Sequence, residues 1–298
     1  MAVLKSELTW SFSRDRLFRD CRRAYYYNYY ASWTGWEKTA DDLCRKAYIL
    51  KNIQNSDMWI GDITHQIIKW ILSQAAGKTS ITLEQAQIKT KDMLMRTWQQ
   101  SRNKLWQQNI KYNLNLLEHY YGIELTKEEL TRKLQKAADS IRNFYSCGVL
   151  DLFDNLPREN FLALDELDTF EFEGLKIFAV PDFAVRNNGF TLYDWKTGKP
   201  SDNDTLQLSL YALYAQAKWK AAGDEIKIVP VYLAGENIEI KPVNPLPEDK
   251  VTAYMRASIN EMKAILIDRE TNKTAIERCP KTQEAWRCKN CKFQEICT

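Results

Sequence analysis

One segment constrains the fold above all others: AVPDFAVRNNGFTLYDWKTGKP, residues 179–200. Two runs rich in Phe, Val and Tyr flank Asn187, Asn188 and Gly189, and Asn and Gly accept the positive φ of a tight hairpin turn. The spacing predicts two antiparallel strands joined there. Upstream, FLALDELDTFEFEG (161–174) alternates or runs apolar between turn residues and predicts further strands. Downstream, a helix is expected from about Asp204 to Ala221, then strands in EIKIVPVYLA (225–234) and NIEIKP (237–242), then a helix from roughly Pro247 to Arg269. Strands interleaved with helices predict an α/β chain.

Before Pro157 the texture is helical. SFSRDRLFRDCRRAYYYNYY (11–30) has a Ser near its start and Leu17, Phe18, Cys21 and Tyr25 at helical spacing, which predicts one amphipathic helix. A second is expected to open at GDITH (61–65), with Ile63, Ile67, Ile68 and Ile71 along one face. Residues 83–144 continue without proline, so 75–150 reads as a helical region of several segments whose role the motifs leave open. The expected organisation is one domain over 1–298, closed by a cysteine-rich tail at 279–298.

A 45% hydrophobic and 12% aromatic content supports a large packed core. No apolar run approaches the length of a membrane span, and the first residues lack the apolar stretch of a secretory signal. The expected location is the cytoplasm, away from membranes. A net charge of +3 neither demands nor excludes a polyanionic partner. Its distribution is more telling: Arg19, Arg22 and Arg23 lie beside Cys21, and Lys281, Arg287, Lys289 and Lys292 lie in the tail. The run YYYNYY (25–30) reads either as half of a core or as a stacking surface for bases.

Asp182 falls in the first predicted strand of the hairpin and Asp194 in the second, with Lys196 two residues on and therefore on the same sheet face. Two carboxylates and a lysine suit phosphodiester hydrolysis. The acids hold a hard divalent cation such as Mg²⁺, and the lysine orients water or offsets charge in the transition state. His65 could complete a metal shell or bind phosphate. Gln207 and Tyr211, four apart, share one face of the following helix and either address the site or cap the core. Glu166 is a further acid that could face the site.

Taken in order, SFSRDRLFRDCRRAYYYNYY, GDITHQ, VPDF, YDWKTGKP, LQLSLY and CKNCKFQEIC resemble the RecB-like branch of the PD-(D/E)xK nuclease superfamily. In layout the chain is similar to the CRISPR-associated and AddAB-type iron-sulfur exonucleases. The resemblance implies a restriction-endonuclease-like mixed β-sheet flanked by helices and Mg²⁺- or Mn²⁺-dependent cleavage of DNA, with single-stranded or free ends as the substrate. It implies that His65, Asp182, Asp194 and the main-chain carbonyl of Trp195 are metal ligands, that Lys196 is the catalytic lysine, and that Gln207 and Tyr211 form the motif after it. A helicase or a CRISPR or other defence protein is the implied partner. A catalytically idle DNA-binding or scaffold subunit is the competing expectation. Ala179 and Val180 stand where many relatives have a glycine before the first Asp.

Seven cysteines, an odd number, argue against a disulfide framework. Cys44 and Cys147 read as core residues. Cys288, Cys291 and Cys297 have metal-ligand spacing and need a fourth ligand, which the spacing itself leaves open along with the choice between zinc and iron-sulfur. Cys279 is the local candidate, although eight residues separate it from Cys288. The resemblance implies Cys21 instead, and a structural [4Fe-4S] cluster clasping the two ends of the chain.

Overall fold

The computed structural model describes residues 6–164, 168–236 and 238–297. A short strand β1 (Trp10–Ser11) leads into helices α1 (Phe12–Asp20) and α2 (Arg22–Tyr26), a π-helical turn (Tyr27–Ala31) and α3 (Asp42–Lys51). The single helix expected over residues 11–30 is therefore broken. Cys21 takes an extended conformation, φ −165° and ψ 111°, and its Sγ accepts the Ala24 N–H to cap α2. The break turns the cysteine out of the α1 face and leaves its sulfur at a helix start.

Helices α4 (Ser56–Ala76), α5 (Leu83–Arg102), α6 (Leu117–Tyr121), α7 (Lys127–Tyr145) and α8 (Leu152–Asn155) follow. Capping boxes fix two of the starts, Thr82 with Gln85 for α5 and Thr126 with Glu129 for α7. The helix expected to open at Gly61 begins at Ser56 instead, where the Asn55 side chain accepts the Met58 N–H and Glu118 Oε1 accepts the Ser56 N–H at 2.9 Å. His65 thus lies in the body of α4 and not in its first turn.

The strands are β2 (Phe161–Leu164), β3 (Phe170–Phe172), β4 (Leu175–Phe178), β5 (Phe183–Arg186) and β6 (Phe190–Lys196), and after helix α9 (Asp202–Trp219) β7 (Ile226–Tyr232) and β8 (Glu239–Ile240). Helix α10 (Glu248–Ala264), the hairpin of β9 (Leu266–Asp268) and β10 (Lys273–Thr274), and α11 (Ala285–Lys289) complete the order. The helix expected to reach Arg269 ends at Ala264, because residues 266–268 pair with β10.

The principal sheet has the order β2-β5-β6-β7-β8 and is mixed: β6 and β7 are parallel, joined through α9, and the other pairs are antiparallel. β4 belongs to a separate three-stranded sheet of order β1-β4-β3. The chain changes sheet at Pro181, which has no N–H to give to a ladder. Asp182 consequently stands just ahead of β5, not within a long strand.

Alternation along β6 and β7 divides the core. Phe190, Leu192, Ile226 and Ile228 pack with α9 and α10, while Trp195, Val229 and Val231 pack with α4 and α7 on the other face. Asp194 and Lys196 continue the Phe190–Leu192 row and so face α9. A third cluster, with Ala24, Tyr27, Leu50 and Phe293, joins the N-terminal helices to the tail.

The β5–β6 turn forms as the sequence predicts. Asn188 has φ 47° and Gly189 φ 118°, and Asn187 N–H donates to the Gly189 carbonyl at 2.9 Å. A Cβ on Gly189 would stand 2.6 Å from the Glu225 carbonyl oxygen. Gly189→Ala is therefore expected to lower stability by about 1–3 kcal/mol through strain and collision, read as a fall in the urea midpoint with an unchanged slope.

Candidate active site

The site is assembled at the C-terminal end of β6, where three elements meet. Asp182 precedes β5; its Oδ2 accepts the Trp195 main-chain N–H at 2.7 Å, which locks the two strands together at this point. Its Oδ1 lies 3.3 Å from His65 Nδ1, so the middle of α4 reaches the sheet here. Gly61 stands where the helix passes close to the end of the strand. A Cβ there would lie only 3.3 Å from Thr197 Oγ1, just beyond Lys196. Gly61 was not singled out by its motif, although a glycine inside an apolar-periodic helix is itself a sign of close approach.

Asp194 is almost fully buried, 3% exposed. Its Oδ1 accepts a hydrogen bond from Tyr211 Oη at 2.8 Å, and its Oδ2 lies 2.8 Å from Lys196 Nζ. The ammonium is close but off the line of a hydrogen bond, so Oδ2 is a buried acceptor with no hydrogen-bond donor. Lys196 Nζ donates instead to Gln207 Oε1 at 3.1 Å, and Gln207 Nε2 donates to Tyr211 Oη at 3.2 Å. Lys196, Gln207 and Tyr211 thus close a ring on the Asp194 carboxylate. Of the acids expected in the set, Glu166 lies outside the described residues.

The electrostatics follow from burial. Desolvation, then repulsion from Asp182, pushes the Asp194 carboxyl up to about 6 against the opposing pull of Lys196 and Tyr211. The Tyr211 phenol is raised well above its ordinary value, first by burial and then by Asp194 and Asp182. Tyr211 is therefore a fixed donor to Asp194. Trp195 points to the opposite face, packed edge-on against Phe144 at 5.2 Å, which anchors the strand between the two acids.

The chain belongs to the PD-(D/E)XK nuclease superfamily. A profile of that superfamily matches residues 9–298. No curated protein matches the chain closely enough to count as a relative. Among solved structures, one titled "Crystal structure of SSO0001" matches with 18% identity over 57% of this chain and 76% of that one, at a TM-score of 0.29. The mixed sheet flanked by helices is the restriction-endonuclease-like fold of PD-(D/E)XK nucleases. These nucleases usually use Mg²⁺ or Mn²⁺, and their substrate is DNA. Among the described residues no helix is long and apolar enough to cross a membrane.

The residues fit a hard cation. Asp182 is near enough to Asp194 to raise its carboxyl, both supply hard oxygen donors, and Asp194 Oδ2 is a buried acceptor lacking a hydrogen bond. As they stand, however, no three His, Cys, Asp or Glu side chains among the described residues are gathered closely enough to hold a metal ion.

The second cysteine-bearing feature lies at the chain ends. Cys21, Cys288, Cys291 and Cys297 line one cavity of about 310 Å³, together with Ala24, Tyr27 and Phe293 on the apolar side and Lys281 and Arg287 on the basic side. All four are free thiols. Burial raises the Cys291 and Cys297 thiols. Cys279 is fully buried and does not line the cavity. Hydrogen bonds hold the tail to the N-terminal helices around this space: Tyr27 Oη to the Ile296 carbonyl at 2.7 Å, Arg23 Nε to the Cys279 carbonyl at 2.7 Å, and Arg23 N–H to the Pro280 carbonyl at 3.1 Å. Of the YYYNYY run, Tyr25 and Tyr27 are core residues and Tyr26, Tyr29 and Tyr30 are half-buried.

Proposed function

We propose that this nuclease-superfamily chain is an active deoxyribonuclease that hydrolyses single-stranded DNA from its ends. The observation that carries the reading is the intact set around Asp194: a second carboxylate, an imidazole, a lysine and a Gln–Tyr pair, with one buried carboxylate oxygen lacking a hydrogen bond. A degenerate scaffold subunit has no cause to keep a carboxylate buried at such electrostatic cost.

Asp182, Asp194, His65 and the Trp195 carbonyl would hold Mg²⁺ or Mn²⁺. Such a cation would supply charge to polarise the phosphate and to acidify an attacking water. Lys196 offsets negative charge on the phosphoryl oxygens, and Gln207 keeps its ammonium in place. Tyr211 holds one Asp194 oxygen, and the other, ion-paired with Lys196 in this structure, would face the ion. The preference for single-stranded ends rests on the likeness of the motif order to CRISPR-associated and AddAB-type enzymes, as does a helicase or defence-system partner.

In the same reading Cys21, Cys288, Cys291 and Cys297 ligate a structural [4Fe-4S] cluster. A cavity walled by four thiols from both chain ends, with Lys281 and Arg287 to balance thiolate charge, supports a group larger than one ion. The test is anaerobic protein assayed with Mn²⁺ on end-labelled linear single strands and on closed circles of the same sequence. Linear strands are expected to be degraded while circles survive. Equal cutting of both would replace the exonuclease reading with an endonuclease, and cutting of neither with any divalent metal would leave a binding subunit.

A further inference from the structure

Helix α5 buries Ala86, Thr90, Leu94 and Ser101, and its opposite face carries Ile88 and Met95, each 55% exposed. Those two lie two turns apart on one stripe of the helix, about 10 Å along its axis. Lys91 and Asp92 stand between them on the same stripe, and Glu84 and Arg96 stand toward its ends, all four of them exposed. None of the four has an ion-pair partner among the described residues. Beside the stripe a groove of about 1050 Å³ runs between α5 and α7, lined on its apolar side by Trp59, Leu94, Met95, Trp98, Leu130 and Leu134. An apolar ridge beside an apolar groove, rimmed by charge, marks an interaction surface.

The order of residues along α5 says what covers it. Turned end for end about a point midway between Lys91 and Asp92, the exposed stripe meets its own copy with complementary chemistry. Ile88 falls opposite the partner's Met95, Lys91 opposite the partner's Asp92, and Glu84 within one turn of the partner's Arg96. Every one of these contacts occurs twice, and no two charges of like sign fall opposite each other. That is the self-complementarity a two-fold interface demands. A partner of uniform charge meets both signs on the stripe and gains from only one of them. We propose that this chain forms a symmetric homodimer by antiparallel pairing of α5 with α5 of a second copy, which seats the partner's Ile88 against Met95 at the edge of the groove. Helix α5 carries none of the candidate site residues, so the inference is independent of the nuclease reading.

The experiment is sedimentation velocity of the full chain at low salt. One helix pair is a small interface, so a dimer that dissociates in the micromolar range is expected, visible between about 1 and 100 µM. Lys91→Glu alone and Asp92→Lys alone each set like charges opposite one another twice, and each is expected to weaken the dimer about tenfold. An equimolar mixture of those two variants should associate as the wild type does, because each copy then offers the other the opposite sign at both contacts. The double variant Lys91→Glu/Asp92→Lys should recover for the same reason. Met95→Glu, which places a charge against the partner's Ile88, should leave only monomer. All three positions are exposed, and thermal melting checks that the fold is kept; if Met95→Glu does not fold, the charge exchange decides alone. A wild type that stays monomeric over this range would overturn the proposal. A dimer indifferent to all of these substitutions would do so too, since it would form elsewhere on the chain. Weakening in the single variants without recovery in either the mixture or the double variant would also overturn it, because the proposed register requires that recovery.

Discussion

Asp194→Asn is expected to abolish cleavage and, in the same protein, to raise the stability of the cation-free chain at pH 8. The two effects have one origin. The wild-type carboxyl ordinarily titrates near 3.8 and is pushed up to about 6 by burial and by Asp182. A group whose pKa is raised by folding contributes its full stability below the unfolded value and loses it as pH climbs through the folded value. The penalty for carrying this charge therefore develops between about pH 4 and 6 and is complete above, where a shift of this size is worth up to about 3 kcal/mol. Asn keeps the acceptor for Tyr211 and removes the charge, although Lys196 then loses a partner and part of the gain. Chemical denaturation at pH 8 and pH 4 reads the sign, with a gain at the first and little at the second. Cleavage should fall about a thousandfold or more, as it should in Lys196→Met. Mn²⁺ at a hundredfold excess over its Kd should stabilise the wild type by about 2.7 kcal/mol and leave Asp194→Asn unmoved. An equal Mn²⁺ shift in the two proteins would remove Asp194 from the cation site. Activity of the wild type should rise with pH through about 6.

The site was legible because its parts are local in sequence and the sheet's period of two is rigid. Asp194 and Lys196 share a face by parity alone, and a four-residue spacing puts Gln207 and Tyr211 on one face of α9. The hairpin was legible because Asn188 and Gly189 hold dihedral angles that few other residues tolerate. What the sequence hid are the events that depend on packing from afar. Pro181 marks a change of sheet, which an apolar run on either side disguises as one strand. The start of α4 is set partly by Glu118, sixty-two residues away, so GDITH looked like a helix opening when it is the middle. The break at Cys21 replaces one amphipathic helix by two because the backbone there follows the tail's demands on residues 21–24, and nothing in the local pattern announces it.

On the proposal that the four thiols ligate a cluster, Cys21→Ser is expected to abolish metal binding there and loosen both chain ends together while the principal sheet stays folded. Cys21 is the one thiol lining the cavity that comes from the N-terminal helices; the other three belong to the tail. Losing it opens a loop that spans nearly the whole chain, and a crosslink of this class contributes roughly 2–5 kcal/mol. At about 2–4 °C per kcal/mol, the apparent Tm should fall by about 10 °C. The loss stops short of global unfolding, because Tyr27 Oη still donates to the Ile296 carbonyl and Phe293 stays buried against Tyr27. Hydrogen exchange should therefore quicken in residues 12–31 and 285–297 as one unit, with β5, β6 and β7 protected as before. Iron and sulfide analysis of the wild type decides the nature of the group, and zinc without iron would replace the cluster with a single ion. Exchange confined to the tail alone would mean that Cys21 is not its partner. Cleavage with Mn²⁺ should persist in Cys21→Ser below its melting temperature, because His65, Asp182, Asp194 and Lys196 stand on elements that the clasp does not touch.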